Sequence, residues 1–391
     1  MSVYVLCRTS ISGRLTIAIP TVQRPNKNYF PSMLREMFMK TADEELREIT
    51  FVILLADIGT TEWKTKLESE IKTNYSAYIE DGSLKIIQAP PEYYDTMLTF
   101  KDDRYVNWRT KQNFDYSYIM RYCQHMSDYY MQMEDDVTPV DGYYQAITHF
   151  ISSQPDDNWV CLEFSTLGFI GKLYHTPEVV LLADMLLIFN YSQPVDFIFP
   201  YYNMMTGRRS QMRKPSLFQH RGYYSSLRDK IQPLQDKFFD FPPKQFHGDN
   251  PFAFLETNLK YTADFPPSLA YSKDPGFFWS AESVESDSNF TIVFNSTHNL
   301  SKIQITTGSQ SHPSDTARFA ILEASEAPKD RTSKCGQFNH IASFKNGEIS
   351  VDKERIVSSV GKMPLKCLQI RFLERQVEWL IIREIAVFID K

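Results

Sequence analysis

Three times between residues 14 and 90 the chain runs from an apolar, strand-forming stretch into turn residues. The stretches are RLTIAIPTVQRP (14–25), EITFVILLADIG (48–59) and SLKIIQAP (83–90). NYFPSMLREMFMKTADEEL, between the first two, places its apolar residues at helical spacing. KQNFDYSYIMRYCQHM (111–126) does the same and runs into DYYMQMEDDV (128–137). Nearly continuous apolar strands alternating with helices argue for an α/β fold around a parallel sheet buried on both faces. Ligands of such sheets bind beyond the carboxyl ends of the strands. Asp57 and the triplet Glu134-Asp135-Asp136 both stand at predicted strand ends, on that side.

The pattern changes after about residue 240. FPPKQFHGDNP and ADFPPS are proline-rich and read as linker or irregular loop. From Pro275 onward short alternating strands follow: NFTIVFN, SKIQITTGS, ARFAILEAS, QFNHIASFK, KCLQIRFLE and WLIIREIAVFI. Short strands at regular spacing, with turn signals between them, predict a β-sandwich. The expected division is therefore an α/β domain over 1–265 and a sandwich over 266–391. VVLLADMLLIFNY (179–191) is apolar but short and interrupted by Asp184, so it reads as a buried helix. The first 20 residues carry Arg8 and Arg14 without a long apolar core, and no membrane anchor is expected there.

A net charge of −6 argues against a dedicated nucleic-acid binder. The five cysteines are too few and too scattered for a disulfide scaffold or a zinc site. Cys335 and Cys367 share the C-terminal region, but nothing in the sequence fixes their distance, and their pairing stays open. Asn74, Asn190, Asn289, Asn295 and Asn299 each begin an N-glycosylation triplet. The three within 289–301 suggest a surface loop exposed to the lumen of the secretory pathway.

Four stretches carry candidate chemistry. An acidic cluster after an apolar strand suits a hard divalent cation held against a diphosphate, although a solvated strand end fits the bare tripeptide as well. DDRYVNWRTKQNFDYSY (102–118) sets Arg104, Arg109 and Lys111 beside Trp108 just before a predicted helix, where an anionic ligand is favoured. RKPSLFQHRGYYSSL (213–227) reads as a loop. Its His220 would complete a metal site or contact phosphate, and Gly222, Ser225 and Ser226 let the backbone approach closely. SQPVDFIFP (192–200) sets Asp196 among apolar residues, which would raise a carboxyl toward the range of a general base, although a helix N-cap fits the local pattern as well.

Together WRTKQNFDYSY, YYMQMEDDV, WVCLEFSTLGFIGKLYHTPE and KPSLFQHRGYYSSLRDKIQPLQDK resemble the N-acetylglucosaminyltransferase IV family, the alpha-1,3-mannosyl-glycoprotein 4-beta-N-acetylglucosaminyltransferases. The likeness keeps one order from about residue 14 to the C-terminus. It implies a GT-A-type, Rossmann-like nucleotide-sugar domain followed by a β-sandwich carbohydrate-binding module. The implied reaction is inverting transfer of GlcNAc from UDP-GlcNAc, in β1,4 linkage, to the α1,3-arm mannose of N-glycan cores.

The resemblance also implies roles. Asp136 would ligate Mn²⁺ or another divalent cation, with Glu134 and Asp135 near ribose and uridine. Pro20, Thr21, Arg24 and Asp57 would face the uracil or ribose, and Arg109 and Lys111 would lie near the nucleotide. Asp196 is the first choice of base and Glu163, in LEFSTLGFIGK, the second. In the sandwich, GSQSHPSD corresponds to a family loop with His-Pro-Gly-Asp. There His312 and Asp315 would bond sugar hydroxyls while Trp279 or Trp379 offers a stacking face. On local pattern, Trp379 in VEWLIIREI reads as a core anchor. N-glycans on glycoproteins are the implied acceptors and other Golgi glycosyltransferases implied partners. Family members are normally type II Golgi membrane proteins, so a Golgi-lumen location is expected, without the anchor. The alternative is an inactive relative acting as a glycan-binding or inhibitory protein.

Overall fold

A computed structural model describes residues 13–239, 244–328, 334–361 and 364–390. Two compact units divide between Phe239 and Asp240.

In the first unit, β1 (Leu15–Thr21) leads through α1 (Phe30–Met39) and α2 (Asp43–Leu46) to β2 (Ile49–Leu55). Helices α3 (Glu62–Asn74) and α4 (Ser76–Glu80) connect it to β3 (Leu84–Ile87). Next come α5 (Arg104–Cys123), β4 (Tyr129–Gln132), β5 (Val137–Pro139), α6 (Tyr143–Ser152), β6 (Trp159–Glu163) and β7 (Lys172–His175). The unit ends with α7 (Val179–Ile188), α8 (Val195–Met205), β8 (Arg209–Met212) and β9 (Phe218–His220).

Seven strands form one sheet in the order β3-β2-β1-β4-β7-β6-β8. The sheet is mixed, which corrects the expectation of parallel pairing throughout. Strands β1 to β4 and the β6–β8 pair run parallel, but β7 is antiparallel to both β4 and β6. Only eight residues separate Glu163 from Lys172, too few for a helical crossover, so β7 returns beside β6 in the opposite direction.

Strand alternation divides the core. Ile17, Ile19, Phe51 and Ile53 pack against α1, α3 and α6 on one face. Ala18, Val52, Leu54 and Tyr130 pack against α5, α7 and α8 on the other. Helix α7 buries Val179, Leu182, Ala183 and Leu186 but leaves Leu181 and Ile188 exposed. The apolar run is therefore a helix buried on one face, too short to cross a membrane. None of the described helices is long and apolar enough to cross a membrane.

The second unit contains β10 (Ala253–Thr257), α9 (Pro267–Tyr271), β11 (Phe278–Trp279), β12 (Asn289–His298), β13 (Leu300–Thr307) and β14 (Ala320–Ser325). It continues with β15 (Asn339–Ser343), β16 (Glu348–Asp352), α10 (Lys353–Val360), β17 (Leu365–Phe372) and β18 (Ile381–Ile389). Two antiparallel sheets, β10-β12-β17-β14-β15 and β11-β18-β13-β16, enclose one core that includes Phe290, Phe294, Ile305, Leu368 and Ile385. This is a β-sandwich. Its first strand begins before residue 266 because β10 pairs along β12, so the unit boundary precedes the one expected. Cys335 and Cys367 form a disulfide. The triplets within 289–301 occupy β12, the single residue after it and the start of β13, not a loop.

Candidate functional site

Beyond the carboxyl ends of β1, β2 and β4 the first unit holds a cavity of about 480 Å³. Its walls include Pro20, Arg24, Asp57, Lys111, Glu134, Asp135, Asp136, Asp196, His220 and Ser225, all singled out in the sequence. The parallel β3-β2-β1-β4 half of the sheet delivers the loops after β1, β2 and β4 to one side. His220 arrives separately, because β9 pairs with β5 and sets His220 opposite Val137. The segment expected as a loop at His220 is therefore a strand, which fixes the imidazole beside the acidic triplet.

The acids are held by specific partners. Thr21 Oγ1 donates to Asp135 Oδ2 at 2.7 Å. Arg24 pairs through Nη1 with Asp136 Oδ2 at 2.8 Å and through Nη2 with Asp135. Its Nη1 also donates to the Tyr224 carbonyl at 2.9 Å. His220 Nε2 lies 3.2 Å from Asp136 Oδ2. Burial alone would raise the Asp136 pKa, but the His220 hydrogen bond and the Arg24 charge outweigh it and hold Asp136 below its ordinary value. Burial keeps Asp135 raised despite Arg24. Glu134 is raised further, first by burial and then by the charges of Asp136 and Asp196. For Arg24, burial opposes the charge, yet Asp135 and Asp136 prevail and hold the guanidinium cationic.

Two glycines shape this cluster. Gly168 adopts φ +41°, and a Cβ there would lie 2.8 Å from Glu134 Oε1 and 3.5 Å from Asp196 Oδ1. A Cβ on Gly222 would fall 1.8 Å from Asp136 Oδ2. Asp196 stands in the first turn of α8, after Pro194, and burial raises its pKa against the pull of Lys172 and Lys230. It is one residue inside the helix, not its N-cap.

A divalent cation fits these residues. Oxygens of Glu134 and Asp136 and a ring nitrogen of His220 lie within 4.8 Å of one another. Asp136 Oδ1 is buried without a hydrogen-bond partner. Carboxylate and imidazole donors together suit Mn²⁺ or a similar ion.

Other expected residues fall elsewhere. Thr21 lies behind the wall, bonded to Asp135. Arg109 does not line the cavity. Helix α5 starts at Arg104, capped by Asp103, so residue 109 is inside the helix and its Nη2 donates to the Tyr191 carbonyl at 2.7 Å. Glu163 does not line it either, because β7 places Lys172 opposite and the two pair at 2.9 Å. Lys111 reaches the wall while bonding Asp115 Oδ2 at 2.6 Å and the Ala56 carbonyl. Tyr116, Lys230 and Gln232 also line the cavity and were not picked out in the sequence. Tyr116 sits in a plain helical pattern, and the other two belong to a loop without periodicity.

In the sandwich, Trp279 Nε1 donates to the buried Asp315 Oδ2 at 2.9 Å, and the His312 ring lies tilted against the indole with centroids 4.5 Å apart. Asp315 thus faces the indole. Trp379 is 42% exposed and meets Trp279 edge-on at 5.5 Å, so it is no core anchor.

A cavity with buried acids at the strand ends of a mixed α/β sheet, in a chain that also carries a β-sandwich, defines a two-unit α/β protein with a polar, acid-rich site. The conserved region described as MGAT4 matches residues 2–239. The alpha-1,3-mannosyl-glycoprotein 4-beta-N-acetylglucosaminyltransferase C of Macaca fascicularis is 35% identical, covering 96% of this chain and 79% of its own. The alpha-1,6-mannosyl-glycoprotein 4-beta-N-acetylglucosaminyltransferase of Gallus gallus is 32% identical, covering 96% and 81%. The chain belongs to the alpha-1,3-mannosyl-glycoprotein 4-beta-N-acetylglucosaminyltransferase family. A solved chitosan-binding module from a Paenibacillus chitosanase/glucanase matches 36% of this chain and 98% of its own, at 12% identity and a TM-score of 0.28, too faint a likeness to carry an argument.

Proposed function

We propose that this protein is a GT-A-type glycosyltransferase that moves GlcNAc from UDP-GlcNAc, with inversion and in β1,4 linkage, to the α1,3-arm mannose of N-glycan cores. Family membership supports the reaction class. The observation that carries the reading is the convergence of Glu134, Asp136, His220 and Asp196 on one cavity, with only the side-chain-free Gly168 between Glu134 and Asp196.

Glu134, Asp136 and His220 would hold Mn²⁺ or a similar ion, which when bound neutralises charge on the diphosphate. The loop from Pro20 to Arg24, with Asp57 and Lys111, would receive the nucleoside. Asp196 would act as base. As the acceptor oxygen bonds to the anomeric carbon from one face, the bond from that carbon to the diphosphate oxygen breaks on the other. UDP leaves with the electron pair, and the acceptor proton passes to the Asp196 carboxylate.

The two relatives' names differ in the mannose arm, so the arm is the finest part of this proposal. The test is product formation from UDP-GlcNAc, Mn²⁺ and arm-defined acceptors, with linkage analysis. Donor turnover surviving Asp136→Ala would overturn it.

A second reading, a non-catalytic glycan-binding or inhibitory relative, draws on Arg24, whose guanidinium already neutralises Asp135 and Asp136. It predicts no UDP release with any acceptor. The Trp279–Trp379–His312 surface would bind sugar under either reading. We place the protein in the Golgi lumen among other glycosyltransferases. The Cys335–Cys367 disulfide supports an oxidising compartment.

A further inference from the structure

The edge strand of the sandwich's larger sheet carries an exposed aromatic pair. Phe252 is 71% and Phe254 57% exposed. Their rings meet edge-on at 5.6 Å. Two large rings left mostly in water on a sheet face are costly. The neighbouring strand supplies a reason for them.

Strands β10 and β12 are antiparallel, with Ala253 opposite Phe294 and Phe254 opposite Val293. Phe290, Ile292 and Phe294 point into the core, and Ala253 and Leu255 pack against it. Alternation therefore puts Phe252 and Phe254 on the outer face with Val293 and Asn295. The Asn295 N–H donates to the Phe252 carbonyl at 2.9 Å, so residue 295 lies directly across from 252. Side chains so placed have Cβ atoms about 5 Å apart. Asn295 is exposed and opens the triplet Asn295-Ser296-Thr297.

The other triplets differ. The Asn190 amide nitrogen is bound to the Leu187 carbonyl and its oxygen is buried. The Asn289 amide donates to the Asp287 carbonyl at 3.4 Å. Asn74 and Asn299 are exposed, at the end of α3 and between β12 and β13.

We propose that Asn295 carries an N-linked glycan whose first GlcNAc lies over Phe252 and Phe254. A lipid-diphosphate-linked oligosaccharide is the donor. The Asn295 amide nitrogen bonds to C1 of GlcNAc, the bond from C1 to the diphosphate oxygen breaks, and the amide proton leaves with the released lipid diphosphate. Because the rings stand edge-on to each other, the apolar face of the pyranose lies on the face of one and against the edge of the other, and water is excluded between them. The sugar thereby also caps a sheet edge that would otherwise present apolar surface to another chain.

This inference rests on the secretory-pathway reading, and the experiment separates the two. The full chain is secreted from a eukaryotic cell and mapped by glycopeptide mass spectrometry. Its thermal midpoint is then compared before and after enzymatic removal of N-glycans. The expected result is occupancy at Asn295 and none at Asn190 or Asn289. Deglycosylation lowers the midpoint of the wild type by a few degrees. That shift shrinks to near zero in Phe252→Ala/Phe254→Ala and in Asn295→Gln, both of which change only exposed side chains. Occupancy at Asn74 or Asn299 with Asn295 bare overturns the inference and leaves the location standing. An equal shift in the double alanine variant overturns the stacking. No occupancy at any triplet overturns the location, and the inference with it.

Discussion

Gly222 presses its backbone against the side chain of Asp136, so closely that a Cβ would fall 1.8 Å from Oδ2 and 2.8 Å from His220 Nε2. Neither neighbour is the free end of a long side chain, since Asp136 is pinned by Arg24 and His220. Gly222→Ala should therefore displace the carboxylate and imidazole together. The expected outcome is a 10- to 100-fold loss of divalent-cation affinity, in the range seen when groups supporting a ligand shift. Titration calorimetry with Mn²⁺ checks it. Wild-type affinity in a folded Gly222→Ala protein would remove His220 and Asp136 from the cation site.

Arg24 joins two buried carboxylates, and its fork geometry is what lets one side chain serve both. Arg24→Gln leaves Asp135 and Asp136 facing each other without the guanidinium that pairs with both. Breaking a buried pair by removing one partner costs about 3–5 kcal/mol. Arg24→Lys should recover only part of that, because a point charge replaces the fork. Denaturant unfolding measures both variants. If Arg24→Gln costs less than about 1 kcal/mol, the pair is far more solvated than its burial indicates.

Asp196 and Glu163 make opposite predictions. Asp196→Asn keeps the shape and removes the base, so kcat should fall by about 10²- to 10⁴-fold with little change in KM for the donor. Glu163→Gln removes the partner of Lys172, which is buried and also bonded to the Ser165 carbonyl. Its expected effect is on stability, by about 1–3 kcal/mol, with turnover nearly kept. Steady-state kinetics beside thermal unfolding tells the two apart. A collapse of kcat confined to Glu163→Gln would reverse the assignment.

Some of this architecture is encoded locally, and some only in contacts between distant segments. The apolar runs around Ile17 and Phe51 needed only composition and length to be seen as buried strands. Asp57 and Asp136 stand out because each follows such a strand, and Asp196 because it is an acid set among apolar residues. Lys172 facing Glu163, and His220 facing Val137, depend on antiparallel pairings between segments that carry no mark of each other. Arg109 lies inside the helix for a local reason: Asp103 caps it, accepting from the Val106 N–H, and the sequence DDRYVNW carries that cap. Trp379 has apolar neighbours, but it immediately precedes Leu380, where the inward-facing run begins, and so stays exposed.

Asp115 gives the pH prediction. It lies on the buried face of α5, with Lys111 on Oδ2 and Tyr94 OH donating to Oδ1 at 2.8 Å. Burial pushes it up to about 6 from an ordinary 3.8, against the pull of Lys111 and the Tyr94 hydrogen bond and with a smaller push from Asp57. A carboxyl raised on folding favours the native state when protonated. Its contribution is complete below about pH 3.8 and is lost as pH rises through about 6. The wild type should therefore gain stability relative to Asp115→Asn on acidification from pH 7 to pH 4, by on the order of 2 kcal/mol. Asparagine accepts the Tyr94 bond but cannot titrate, so the difference between the two proteins isolates this group. Unfolding curves at half-unit pH steps measure it, and parallel pH profiles for the two proteins would show that Asp115 titrates as an ordinary carboxyl.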